Sequence, residues 1–311
     1  MSKKIEPNLS VNLAGIKLKT PIVAASGPFG YGREYNERSD FHYLGALTVK
    51  GVSLDPWQGN KPPRIAETTG GMLNAIGLQN PGLEYFLSEE LPFLKKLDTR
   101  LIVNIIGRTI EEYSTVAGKL DQAPGIDGLE INISCPNVSC GGITLGTDPV
   151  LTAEVVGAVR EKTILPILVK LSPNVTDITK IALAAEKAGA DGISLINTVT
   201  GMLIDTKKKK PLLGNTFGGL SGPAVMPLAL RMVWQVAETV NIPILGMGGI
   251  NSADDALQFI LAGARAVAIG TGIFYDPHLP VTILSGMRSY MIEGGYASLG
   301  QLEGAARKES Y

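Results

Sequence analysis

The feature that most constrains this 311-residue chain is a series of eight short apolar runs spread along its length. They cover residues 21–25, 46–50, 101–106, 128–134, 166–172, 192–198, 242–246 and 266–270. Each has the length of a buried strand, and most are separated by the roughly 20 to 50 residues that a parallel crossover with embellishment needs. Helical stretches are clearest late in the chain. Residues 176–188 place Ile178, Ile181, Ala182 and Ala185 on one face, and Ser252 reads as the N-cap of a helix over 254–262 that Gly263 closes. Strands alternating with helices, without a composition break or linker, predict one domain over residues 1–311: a closed (β/α)₈ TIM barrel of the α/β class. An open doubly wound sheet is the alternative. The first crossover is short and irregular. Ahead of the first strand, residues 9–13 and 16–18 flank Ala14-Gly15, the pattern of a hairpin closing the barrel bottom.

Composition narrows the function classes. Hydrophobic residues at 45% and charged residues at 18% suit a well-buried enzyme. A net charge of −1 offers no basic field for nucleic acid or an anionic membrane. The four lysines at 207–210 are read as a solvated loop tip, because no aromatic residue interleaves with them. No run approaches the ~20 apolar residues of a membrane span. The first residues, Met1-Ser2-Lys3-Lys4-Ile5-Glu6-Pro7, lack the apolar centre of a secretory signal, so a cytoplasmic location is expected. Two cysteines, Cys135 and Cys140, and two histidines, His42 and His278, are too few for a metal centre or an iron–sulfur cluster held by this chain. Redox chemistry here needs an organic cofactor or a partner's metal.

Barrel strands bury both faces, so a polar residue inside one needs a partner. Lys50, Asn104, Asn132 and Lys170 all fall near the C-terminal ends of their strands, the end at which active sites of this fold sit. Strand period two sets Glu130, Asn132 and Ser134 on one face and Leu129, Ile131 and Ile133 on the other. A buried ammonium without an anion is costly, so Lys50 and Lys170 together imply bound negative charge.

Glycine-rich segments follow the last two strands: Gly246-Met247-Gly248-Gly249-Ile250 and Gly270-Thr271-Gly272. Loops at these two positions commonly hold a phosphate. Gly218-Gly219-Leu220-Ser221-Gly222-Pro223 is a third such loop, ahead of a helix from Ala224. No Gly-x-Gly-x-x-Gly follows an early strand, so the phosphate belongs to FMN or to a phosphorylated substrate rather than to a dinucleotide. After strand four comes Ser134-Cys135-Pro136-Asn137, where proline restricts Cys135 to an extended backbone. A thiol there is either a base at the barrel mouth or a buried, inert side chain. Cys140 reads as incidental.

These residues resemble the class 1 dihydroorotate dehydrogenases, and more closely the catalytic subunit of the NAD-linked 1B type, over nearly the whole chain. The motifs are Asn74-Ala75-Ile76-Gly77-Leu78-Gln79-Asn80-Pro81-Gly82, Asn132-Ile133-Ser134-Cys135-Pro136-Asn137, Lys170-Leu171-Ser172-Pro173-Asn174, Ile196-Asn197-Thr198 and Gly246-Met247-Gly248-Gly249. The resemblance implies FMN contacts from Ser26, Lys50, Gly51, Asn104, Asn132, Lys170, Ile196, Gly222, Gly248, Gly249, Gly270 and Thr271. It implies dihydroorotate contacts from Lys50, Asn74, Ala75, Ile76, Gly77, Leu78, Asn132, Asn197 and Thr198, with Cys135 as the base. It further implies a homodimer core and a separate electron-transfer subunit carrying FAD and a [2Fe–2S] cluster, through which electrons reach NAD.

Rival readings stay open. A fumarate-using class 1A enzyme would equally lack the relay, and the segment 74–82 favours 1B. A tRNA-dihydrouridine synthase needs a basic surface, and a dihydropyrimidine dehydrogenase module usually sits in a longer chain. A non-redox barrel could use Lys170 as a Schiff base on a phosphorylated sugar. A scaffold barrel with a decayed site is disfavoured by the retained lysines, asparagines and cysteine.

Overall fold

A computed structural model describes residues 6–35, 41–133, 139–140 and 143–308. Its eight barrel strands are β1 (Ile22–Ala24), β2 (Ala46–Val52), β3 (Arg100–Ile105), β4 (Gly128–Asn132), β5 (Ile167–Lys170), β6 (Gly192–Leu195), β7 (Ile244–Met247) and β8 (Ala266–Ile269). They pair in parallel in chain order, and β8 closes on β1. All eight fall on the apolar runs of the sequence. The barrel is a (β/α)₈ closure, and the open doubly wound sheet is ruled out by the β8–β1 pairing.

Five crossovers carry long helices, α1 (Ile110–Asp121), α2 (Pro149–Arg160), α3 (Ile178–Lys187), α4 (Met226–Ala237) and α5 (Ala253–Ala262), and a sixth long helix, α6 (Leu279–Gly294), follows β8. The described part of the first crossover holds two short 3₁₀ turns and no α-helix. The buried residues of α3 are Ile178, Ile181, Ala182 and Ala185, the face its periodicity predicts. Ser252 caps α5, its Oγ accepting from Asp255 N at 3.1 Å, while Gly263 ends the helix at φ 117°. Ser252→Ala is expected to cost about 1 kcal/mol. A lowered urea midpoint at unchanged slope checks it, and an unchanged midpoint would show that the cap contributes nothing.

Strand parity sorts the core into two shells. Odd-numbered residues of β3, β4, β5 and β6, such as Val103, Ile131, Val169 and Ile193, pack outward into one large cluster with the helices. Even-numbered Ile102, Leu168, Ala266 and Ala268, with Leu245 and Met247 of β7, fill the interior together with Leu13, Ile16 and Leu18. The last three belong to the hairpin Val11–Leu13/Ile16–Leu18. A Cβ on Gly128, the first residue of β4, would lie 2.7 Å from Ile16 Cδ1, so the hairpin plugs the N-terminal end of the barrel. The opposite end is covered by a four-stranded antiparallel sheet, ordered Val199–Gly201, Gly218–Ser221, Gly71–Asn74, Ile65–Thr68.

That sheet corrects one expectation. Gly218 to Ser221 is a strand rather than a loop, and the helix after it begins at Met226, behind a 3₁₀ turn over Pro223–Val225. The lysines at 207–210 do sit at an exposed hairpin tip, where Lys208 pairs with Asp205 at 3.6 Å. No helix among the described residues is long and apolar enough to cross a membrane.

Candidate active site

The C-terminal ends of the barrel strands and the covering sheet enclose a cavity of about 700 Å³. That lies inside the range of roughly 300–1,000 Å³ usual for small-molecule sites. Ser26, Lys50, Gly51, Asn74, Ala75, Ile76, Gly77, Leu78, Asn104, Asn132, Lys170, Ile196, Asn197, Thr198, Gly222, Gly248, Gly249, Gly270 and Thr271 all line it. Residues distant in sequence thus meet on one surface. Cys135 lies outside the described residues.

The interior is chemically two-sided. Strands β2 to β6 turn Thr48, Lys50, Asn104, Glu130, Asn132, Lys170 and Ser194 inward, whereas β7, β8 and the residue after β1 present Met247, Ala268 and Ala25. The polar side is a connected network. Asn104 Nδ2 donates to Glu130 Oε1 at 2.6 Å, Ser194 Oγ donates to Glu130 Oε2 at 2.8 Å, and Asn132 Nδ2 donates to Asn104 Oδ1 at 3.4 Å. Lys170 Nζ donates to Ser26 Oγ at 3.3 Å and stands 3.6 Å from Glu130 Oε1. The adjacency follows from register: Asn104 opposes Glu130, while Lys170 opposes both Asn132 and Ser194.

The sequence took both lysines to require a bound anion. For Lys170 the structure corrects this, since Glu130 supplies the counter-charge from within the protein. Lys50 is different. It sits where the β2–β3 register shifts between Val49 and Val52, an irregularity of the kind that re-aims a side chain beside a site. Half-buried, it makes no ion pair among the described residues. Burial pushes its ammonium below the ordinary lysine range; the charge of Glu34 opposes that shift and Arg64 reinforces it.

Among the described lining residues there is no aspartate, glutamate or histidine. The described lining therefore offers amino groups, amides and hydroxyls, and no carboxylate or imidazole to take a proton.

The glycine segment after β7 is fixed by packing as well as by any ligand. Gly248 and Gly249 have φ of 129° and 77°, and a Cβ on Gly249 would lie 2.7 Å from Met226 Cβ. On the other side of the same corner, Thr271 Oγ1 donates to Ser221 Oγ at 2.7 Å. The segment 74–82 divides similarly. Its first five residues face the cavity, while Asn80 is a buried brace, accepting from Ser53 Oγ and Gly82 N at 2.9 Å each.

Sequence reasoning did not select Glu130, Ser194, Asn174, Thr200, Asn215, Phe217, Asn251 or Phe274. Glu130 had a signal, a carboxylate on the inward face of a barrel strand. Asn174 had one in its motif: its amide donates to Thr198 O at 3.1 Å and accepts from Thr200 N at 2.9 Å, tying two mouth loops together. The others join the mouth through the covering sheet and loops, which no local pattern announces.

The chain is similar to known proteins over nearly its whole length. The family model described as dihydroorotate dehydrogenase matches residues 8–291. The dihydroorotate dehydrogenase B (NAD(+)) catalytic subunit of Geotalea daltonii is 55% identical over 302 residues, covering 97% of this chain and 99% of that protein. The protein of the same name from Geotalea uraniireducens is 56% identical over 300 residues, 96% and 98% of the two chains. That of Desulforamulus reducens is 55% identical over 299 residues, 96% and 98%. With a matching family model and near full-length relatives above half identity, this chain belongs to the dihydroorotate dehydrogenase family.

Proposed function

We propose that this chain oxidises (S)-dihydroorotate to orotate with FMN, in de novo pyrimidine (UMP) biosynthesis, as the catalytic subunit of an NAD-linked enzyme. The observation that carries the reading is Lys50: a half-buried cation without an ion-pair partner among the described residues, at the mouth of a cavity lined by Asn74, Asn132 and Asn197. A carboxylate on a ring with amide edges complements that set. The donor set also fits a flavin mononucleotide. Polar groups of β2 to β6 would hold the ring's polar edge, Ile196, Met247 and Ala268 would offer it apolar surface, and Gly248, Gly249, Gly270 and Thr271 would hold the phosphate.

When bound, the flavin supplies the hydride acceptor, N5. The chain's own residues do the rest. Lys50 pairs the substrate carboxylate, and the asparagines orient the pyrimidine amides, so that C5 and C6 are held for reaction rather than found by diffusion. Cys135 takes the C5 proton as the C6 hydride leaves. Lys170 would hold the flavin and would supply positive charge to offset the negative charge that reduction brings. Electrons leave through a partner subunit carrying FAD and a [2Fe–2S] cluster, since two cysteines cannot hold that cluster here. The assembly is a homodimer core joined by two such partners, in the cytoplasm.

Anaerobic titration of the FMN-reconstituted chain with dihydroorotate is expected to bleach the flavin absorbance. The isolated chain should then reduce dyes but not NAD. A flavin that stays oxidised under excess dihydroorotate sinks the substrate assignment, and robust NAD reduction by the chain alone sinks the partner.

A further inference from the structure

Two carboxylates among the described residues are buried: Glu90, which pairs with Arg33 outside the barrel, and Glu130, which is 1% exposed inside it. Glu130 is not itself a lining residue, but Asn104 and Lys170 are. We propose that Glu130 is a positioning residue, the internal counter-charge that keeps Lys170 an ammonium and fixes the polarity of Asn104 toward the cofactor; this rests on the reading that the cavity holds FMN.

The network geometry supplies both halves of the argument. A carboxylate only accepts hydrogen bonds, so the 2.6 Å contact forces the Asn104 NH₂ toward Glu130. Its carbonyl then points away, to Asn132 Nδ2, and a Cβ on Gly51 would lie 3.1 Å from that same oxygen. Toward Lys170, Glu130 acts differently. At 3.6 Å the carboxylate supplies charge without capturing the ammonium in a close hydrogen bond, which leaves donor directions for a ligand. Ser194 Oγ holds the other carboxylate oxygen, so the group cannot rotate away from its task.

The consequence concerns proton count. For a lysine as fully buried as Lys170, losing the counter-charge favours loss of the proton, a penalty that the half-buried Lys50 meets only in part. With Glu130 present, Lys170 is already cationic before the flavin gains negative charge, and no proton is needed at the lysine on reduction. Without Glu130, Lys170 is neutral beside the oxidised ring and takes up a proton when the ring is reduced.

The test is the pH dependence of the flavin midpoint potential in FMN-reconstituted protein without substrate. Glu130→Gln is expected to take up one more proton per two electrons than the wild type over part of the range above neutral pH. Ser194→Ala removes a hydrogen bond to the same carboxylate without changing charge, and is expected to keep the wild-type count. The double variant E130Q/K170M has no lysine to titrate, and is expected to fold, bind FMN and lose the extra proton even if E130Q alone does not fold. A parallel pH profile for E130Q, an altered count in S194A, or a double variant that cannot fold overturns the inference. Wild-type protein that binds no FMN overturns the cofactor reading itself, and this inference with it.

Discussion

Replacing Cys135 with alanine is expected to lower turnover with dihydroorotate by about 10²- to 10⁴-fold while FMN stays bound, the usual contribution of a positioned general base. Forming the C5–C6 double bond requires a proton to leave C5, yet the described cavity lining holds no aspartate, glutamate or histidine. Lys50 and Lys170 are assigned to pairing with negative charge rather than to proton removal. Cys135 follows Asn132, a lining residue at the end of β4, by three positions, although the thiol itself lies outside the described residues. A free thiol titrates near pH ~8.5, and positive charge beside a thiol favours its thiolate. Cys135→Ser, with a far weaker acid in place of the thiol, is expected to retain partial turnover and to need higher pH. Steady-state turnover and bound-flavin absorbance report both variants. Full activity in the alanine variant would move the base elsewhere.

The barrel was legible because its strands obey two constraints at once. Each apolar run is short enough for a strand, and within runs such as 101–106 and 128–134 the polar residues keep to one parity. That parity is what separates the helix-facing Ile131 and Val169 from the inward Glu130 and Lys170. The caps of α5 were legible for a local reason, since Ser252 and Gly263 act within one turn of their own positions. The sheet over the mouth was not. Its strands Gly71–Asn74 and Gly218–Ser221 pair across some 145 residues, and the second is so rich in glycine that it carries no strand signal.

The site divides along the same line. A polar residue at the end of an apolar strand can be seen in one sequence, and Lys50, Asn104, Asn132 and Lys170 were found that way. What satisfies each of them is set by register between neighbouring strands, which a sequence does not print. Hence Lys170 was expected to need a ligand's charge, whereas Glu130, two strand positions from Asn132 and on the neighbouring strand, provides it. Lys50 shows the converse: it sits at a register irregularity, also invisible in sequence, and has no such partner among the described residues.

Lys50→Ala is accordingly expected to lower kcat/KM for dihydroorotate by about 30-fold to several thousand-fold. Truncating one partner of a buried, hydrogen-bonded charge pair costs about 2–5 kcal/mol, at about 1.4 kcal/mol per factor of ten. Much of the loss should appear in KM, because the carboxylate is charged in both ground and transition states. Lys50→Arg is not expected to restore it, since a planar fork does not replace a compact ammonium. The pH profile carries a sign. Burial holds the Lys50 ammonium below the ordinary lysine range in the free enzyme, and a bound carboxylate favours the charged form. Affinity is therefore full below the Lys50 pKa and falls as pH rises through it, and the alanine variant should lose that alkaline limb. Stability should move the other way. Removing a half-buried cation that has no ion-pair partner among the described residues removes a desolvation cost, so the urea midpoint is expected to hold or rise. A variant that loses stability together with turnover would mark Lys50 as a structural residue and return the substrate's carboxylate to another site.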